Sequence, residues 1–314
     1  MPDFARSGLA GLTLLYALAA PVAIAARSGA PHNGFVLKGA SVPVEEILRG
    51  GPPRDGIPAL DHPEHVAAAG ANWPDAAQVL GVEYGGEARA YPVAILDWHE
   101  LINDSVGGRE ILISYCPLCG TGMVFDRKVG DQIRTFGVSG LLYHSDLLMY
   151  DHETESLWSQ IASRAITGPS RGTPLVLLPS QMERWGTWRA KHPHTDVLTR
   201  NTGFRRRYGT SPYGGYDKSP RLLFPTPLDP RYHPKTPTVG LRIAGGASRA
   251  YPRDEVRRAG GRVEERFEGR SVVVAWDDSE RTFHVTAPEG VEVVQGYWFA
   301  WAAFHPDSSV YRAP

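Results

Sequence analysis

Apolar and polar positions alternate in short runs along this chain. Residues 111–115 put Ile111, Ile113 and Tyr115 on one face, and residues 123–127 repeat the period of two with Met123 and Phe125. That period marks strands. Between the runs lies Cys116-Pro117-Leu118-Cys119-Gly120, so the pattern predicts a hairpin with both cysteines on its turn. Residues 136–150 mix glycine with apolar residues and predict a second hairpin. Helical signals are few. Residues 44–48 predict a short helix, and residues 93–103, carrying Asp97-Trp98-His99-Glu100, a short helix or strand-turn. Ser180 followed by Glu183 reads as a capping box before Trp185. Residues 50–58 must be a loop, because proline and glycine forbid regular structure there. Residues 212–237 form a Pro-, Gly- and Tyr-rich connection. The expected architecture is α+β or mainly β, with short twisted strands and a few short helices, in preference to a doubly wound sheet.

The same pattern recurs. Trp185-Gly-Thr-Trp188-Arg-Ala-Lys-His192-Pro193 and Trp298-Phe-Ala-Trp301-Ala-Ala-Phe-His305-Pro306 both read W-x-x-W-x-x-x-H-P. Ala88-Arg89-Ala90-Tyr91-Pro92 matches Ser248-Arg249-Ala250-Tyr251-Pro252, and Gly108-Arg109 matches Gly269-Arg270 in the same order. This predicts a degenerate internal duplication, residues 79–198 against 239–311, with too few copies for a solenoid. Shared residues then belong to the scaffold: His192, His305, Arg89, Arg249 and the paired tryptophans. Unshared residues are candidates for chemistry. Asp277 stands opposite Cys116, Glu280 opposite Cys119, and Ala259-Gly260 opposite His99. An insert, residues 134–173, has no counterpart. The predicted organisation is a signal peptide over residues 1–25, a core over 26–237 with the first copy, and a second, shorter copy over 238–314 within the same globule.

The first 25 residues carry Arg6, an apolar run ending at Pro21, and the small-x-small pattern Ala23-Ile24-Ala25. These are the parts of a secretory signal, so an exported (periplasmic or extracellular) chain is expected, with no stable membrane span after cleavage. A net charge of −1 gives no drive towards nucleic acid. Arg205-Arg206-Arg207 reads as a solvated loop, with a phosphate contact as the lesser reading. There are 34 glycines and 26 prolines, which fits frequent turns, and 42% hydrophobic residues suffice for a core.

Export sharpens the meaning of the two cysteines, the only ones in the chain. Outside the cytosol an unprotected dithiol tends to oxidise, so the pair is held by metal, engaged in redox exchange, or closed as a disulfide. In a C-P-x-C-G turn, backbone N–H groups can point at thiolates. Such a knuckle supplies half of a four-ligand site. No second C-x-x-C follows, so His99 is the expected third metal ligand, with His144 and then His152 behind it. Cys116, Cys119 and His99 would suit copper or zinc, with an unknown metal-delivery or redox partner. Trp158 and Gln160 are further candidates for the same cleft, with packing an equal reading for Trp158; Asp146, Asp151 and Glu155 are candidate acid/base groups or hydrogen-bonding partners of a ligated His, with a solvated carboxylate as the default. Thiol–disulfide redox is an alternative, although Gly120-Thr121-Gly122 is a poor helix start for a thioredoxin-like site. A structural disulfide and a non-catalytic binding module remain alternatives too. Haem attachment is excluded because Gly120, not His, follows Cys119. No G-x-S-x-G, H-E-x-x-H or phosphate-binding glycine loop is present, and Gly137-Val-Ser139-Gly140 only partly resembles a nucleophile elbow. Whether the protein is an enzyme stays open at this point.

Several stretches together resemble one bacterial family. They are Asp97-Trp-His99-Glu, Cys116-Pro-Leu-Cys119-Gly-Thr, Phe136-Gly-Val-Ser-Gly-Leu-Leu-Tyr143, Ser145-Asp146-Leu-Leu-Met-Tyr150-Asp151 and Ser156-Leu-Trp158-Ser-Gln160. The family is domain of unknown function 3179 (DUF3179), and the likeness runs over residues 48–212, more loosely beyond. It implies an exported or membrane-anchored protein of unassigned activity. His144 departs from the family, where Asn is usual, which favours His99 as the shared ligand.

Overall fold

The computed structural model describes residues 31–314; the predicted signal peptide lies outside the described residues. The chain is mainly β with a few short helices, arranged as a five-bladed, propeller-like ring. Five sheets of three to five strands make the ring, with one two-stranded ribbon beside them.

Two of these sheets come from residues 65–198, with His65–Ala67 as an outer strand of the first. Strands Gln78–Tyr84 and Glu87–Pro92 pair antiparallel, and Asp196–Leu198 joins in parallel. Helix α1, Val93–His99, follows. Strands Leu101–Val106, Arg109–Cys116 and Thr121–Asp126 then form a second sheet. Two more sheets come from residues 237–310 with the same order of parts. Strands Pro237–Arg242 and Ser248–Pro252 pair antiparallel, and Ser309–Val310 joins in parallel. Three antiparallel strands, Arg262–Phe267, Arg270–Asp277 and Thr282–Thr286, make the companion sheet. Helix α2, Trp185–Lys191, in the first segment corresponds to α4, Trp298–Phe304, in the second, and α1 corresponds to α3, Arg253–Arg258.

The fifth sheet is built by the insert. Phe136–Tyr143, Asp146–Asp151, Leu157–Ser159 and Arg164–Ala165 run in order, and Ile47–Arg49 adds an outer strand. Residues 44–48 thus differ from the expected helix: only Val44–Glu46 makes a 3-10 turn before the strand begins. Ser139, the partial elbow, is buried and donates its hydroxyl to the Leu148 carbonyl, so it braces the hairpin.

Side-chain chemistry explains the common plan. The Trp188 indole N–H donates to Thr195 Oγ1 at 2.9 Å, and Trp301 to Ser308 Oγ at 3.0 Å. His192 and His305 stack on those rings with centroids 4.0 Å apart. Asp104 accepts from Tyr91 and Arg89, as Glu265 accepts from Tyr251 and Arg249. These histidines and arginines therefore do scaffold work. The capping box does not form. Residues Gln181–Arg184 are a strand, and Glu183 is buried against Lys191 Nζ at 2.5 Å; α2 starts at Trp185 with no side-chain cap. Strand pairing with Gln78–Tyr84 outcompetes an early helix start.

Each buried indole lies flat against a glycine of the central hairpin. A Cβ added at Gly81 would meet Trp188 at 2.4 Å, and one at Gly240 would meet Trp301 at 2.0 Å. We expect Gly240→Ala to destabilise the fold by about 1–3 kcal/mol through overpacking. Urea unfolding monitored by tryptophan fluorescence checks this, and an unchanged midpoint contradicts it.

Candidate metal centre

The cysteine turn forms because strands Arg109–Cys116 and Thr121–Asp126 are in register up to the pair Cys116–Thr121. The loop closes through Gly120 at φ +60°. Alternation sends the two faces of this hairpin into different cores. Ile111, Ile113 and Tyr115 pack with Val79, Ile95 and Trp185. Leu112, Cys116, Met123 and Phe125 pack with Trp158 and Trp298. The cysteines thus ride on a sheet that is covered on both sides, and both are buried, free thiols.

Two other sheets close over the turn. The insert hairpin reverses at His144-Ser145, with φ of +52° and +64°. Both angles are positive, as in a two-residue type I′ turn, which non-glycine residues adopt only under strain. That reversal places the Ser145 carbonyl 3.6 Å from Cys116 Sγ and 3.4 Å from Cys119 Sγ, accepting from both thiols. The next residue, Asp146, brings a carboxyl oxygen within 4.8 Å of both sulfurs. From the second segment, Tyr297 N–H donates to the Cys119 carbonyl at 2.8 Å.

Asp146 is fully buried. Its Oδ2 accepts the Ile161 N–H at 3.0 Å, whereas Oδ1 has no hydrogen-bond partner. A buried polar atom left without a partner is rare. Burial pushes the Asp146 carboxyl up to about 8. Burial likewise raises the Cys116 thiol and raises that of Cys119 well above its ordinary value. The three groups are acids held in a dry place, where charge is costly unless a cation shares it.

In the second segment Asp277 replaces Cys116 at the end of the matching strand, and its Oδ1 accepts the backbone N–H of Ser279 at 2.7 Å and of Glu280 at 3.0 Å. That turn aims two backbone donors at the Asp277 carboxylate.

The histidines lie differently from the sequence expectation. The atoms gathered within ligating reach belong to Cys116, Cys119 and Asp146; His99 stands outside this group. Its Nδ1 lies 2.8 Å from the Pro58 carbonyl and its Nε2 2.7 Å from the Tyr208 hydroxyl. A carbonyl only accepts, so Nδ1 carries the proton and Tyr208 donates to Nε2. Burial lowers the His99 pKa, which keeps the ring neutral in this chain of bonds. His144 contributes its backbone to the turn, but its ring packs between Tyr143 and Phe304 and faces Glu46 at 3.3 Å. His152 is exposed and stacks on Tyr150. Trp158 is core: its indole N–H donates to Asp151 Oδ2 at 2.8 Å. Gln160 supports the hairpin from below, donating to Ser114 Oγ at 2.9 Å and the Thr121 carbonyl at 3.2 Å.

Sequence reasoning named Glu100 only as part of a motif. It is buried, accepts from Tyr213 at 3.0 Å, and burial raises it to about 7. Asp97 is raised to about 6, chiefly by burial. The comparison of copies that singled out His99 could also have found Glu100, because the matching position in the second segment is Gly261.

Fold and site together define a β-ring protein with a buried dithiol–carboxyl knuckle at the junction of three sheets. The family model described as protein of unknown function (DUF3179) matches residues 54–290, and the chain belongs to that family. No curated protein and no solved structure matches it.

The raised carboxyls set a pH dependence. In metal-free protein Asp97, Glu100 and Asp146 keep protons up to about 6, 7 and 8, whereas the unfolded chain gives them up near pH 4. Unfolding then releases protons, so stability falls as pH rises from about 5 to about 8. We expect the urea midpoint of chelator-treated protein to drop across that window, and Asp146→Asn, which cannot ionise, to flatten the upper part of the slope. A midpoint that climbs over the same range contradicts the assignment.

Proposed function

We propose that the protein is an exported metal-binding protein that holds one divalent ion, zinc, at Cys116, Cys119 and Asp146. The observation that carries this reading is the buried Asp146 carboxyl, with one oxygen unpartnered and an oxygen within 4.8 Å of two free sulfurs. Two thiolates and a carboxylate form a mixed soft and hard donor set, which suits borderline Zn²⁺. Two thiolates alone would suit Cu(I), and the carboxyl oxygen weighs against it. A bound divalent cation would neutralise the deprotonated acids and tie the insert to the cysteine turn.

Thiol–disulfide exchange has less support. A redox thiol needs a lowered pKa and access, and both cysteines are buried and shifted upward. Export rests on the leader-like residues 1–25, and the described residues contain no helix long and apolar enough to cross a membrane. The matching order of parts in residues 78–198 and 237–310 supports their reading as copies of one unit, of which only the first kept the thiols.

Metal analysis and thiol titration of protein from the native compartment test the proposal. About one zinc per chain is expected, with both thiols reactive only after chelation. Cys116→Ser/Cys119→Ser should lose the metal and keep the fold by circular dichroism. Asp146→Asn should lose zinc at a chelator concentration that leaves the wild type loaded, a drop of at least about tenfold in affinity, or 1.4 kcal/mol. Metal-free protein whose thiols appear only after reduction overturns the proposal in favour of a disulfide.

A further inference from the structure

Two neighbouring cavities share a wall. The first, about 340 Å³, is lined mainly by aliphatic and aromatic side chains, among them Ile57, Leu118, Val138, Leu142, Leu147 and Phe224. Its size falls in the range of small-molecule sites, about 300–1,000 Å³. Its polar lining includes Asp97, and Glu100 and Tyr213 are engaged with each other, Glu100 accepting from Tyr213 at 3.0 Å. The second is an open concavity of about 560 Å³ lined by Arg200, Arg205, Arg206 and Arg207 with Trp98, Phe204 and Tyr208; no carboxylate lines it. Arg200 is fixed by the Asn72 carbonyl at 2.7 Å and lies over Trp73. Among the described residues, Arg205, Arg206 and Arg207 make no ion pair.

Trp98 and Arg206 line both spaces. The Trp98 ring is pinned by its N–H to the Thr210 carbonyl at 3.1 Å, and the Arg206 guanidinium sits 5.9 Å from its centroid. The wall between the two therefore has one aromatic face and one cation at the mouth of an apolar pocket. Leu223, 60% exposed, stands at the same mouth.

We propose that this double cavity binds a small anionic amphiphile. Its oxyanion head lies on Arg205, Arg206 and Arg207, and its apolar body enters the pocket past Trp98 as far as Leu118. Guanidinium groups grip phosphate-like heads through paired, charge-assisted hydrogen bonds. The walls of the pocket reward each buried methylene. The cavity borders the cysteine turn through Leu118, but ligand binding does not depend on the metal, and the two readings fail separately.

Trp fluorescence titration with butyl, hexyl and octyl phosphate, each below its micelle concentration, tests the proposal. Affinity should rise with chain length, up to about fourfold per methylene at full burial. Inorganic phosphate and octyl glucoside should each bind at least about tenfold more weakly than octyl phosphate. Arg206→Ala should weaken octyl phosphate about tenfold. Leu223→Asp, at an exposed position that the core does not need, should weaken it too. Arg262→Ala, at an exposed arginine that lines neither cavity, should bind it like the wild type. Equal affinity across the chain series, or octyl glucoside binding as well as octyl phosphate, overturns the proposal. So does binding to phosphatidylglycerol vesicles with none to octyl phosphate, which would make the arginines a membrane-docking surface.

Discussion

Three acids buried within reach of one another constrain everything around them. Cys116, Cys119 and Asp146 are buried together, and their pKa values rise together because burial disfavours the charged form of each. An ensemble of protonated thiols and carboxyl is tolerable only if each hydrogen finds an acceptor. The Ser145 carbonyl supplies one for both sulfurs. That carbonyl is available only because the hairpin reverses through two left-handed, non-glycine residues. The strain in the turn and the chemistry of the knuckle are thus one arrangement.

Much of the scaffold was legible in the residues. The alternation at 111–115 and 123–127 marked the hairpin, because each face had a core to fill. The W-x-x-W-x-x-x-H-P slots marked two helices, because each indole needs a hydroxyl and a glycine beneath it, and those partners recur. The ring itself was not legible: sheets close on one another through side chains distant in sequence, and no local period reports that. The cysteines were identified as the reactive spot from their turn alone. Asp146 was named but ranked behind the histidines, and the reason is geometric. Its approach to the sulfurs depends on the left-handed turn at 144–145, and Ser145 does not announce such a conformation. His99 drew attention as an unshared residue, yet being unshared fits equally well the chain of hydrogen bonds to Pro58 and Tyr208 that it makes.

The two segments show how one frame carries different chemistry. At the end of matching strands stand Cys116, whose thiol donates to the Ser145 carbonyl, and Asp277, whose carboxylate accepts from the backbone of its own turn. Around Asp277 the setting is open to solvent, and a carboxylate is satisfied by the turn alone. Around Cys116 the insert adds a sheet, excludes water and brings a third acid. The insert therefore accounts for the difference in chemistry between two otherwise similar corners. It is secured from the far side by Arg242, which donates to the Ile161 carbonyl at 2.5 Å and to Ser163 Oγ at 2.6 Å while pairing with Glu292.

The bond from Tyr297 to the Cys119 carbonyl carries a consequence for the order of assembly. Strand Glu292–Tyr297 pairs with Pro237–Arg242 and rests on a cysteine turn that lies far from it in sequence. Closing so long a loop is slow, because its entropy must be lost before the contact repays it. Until strand Glu292–Tyr297 docks on the turn the sulfurs stay accessible, and a folding chain meets oxidants or metal ions with its thiols still uncovered.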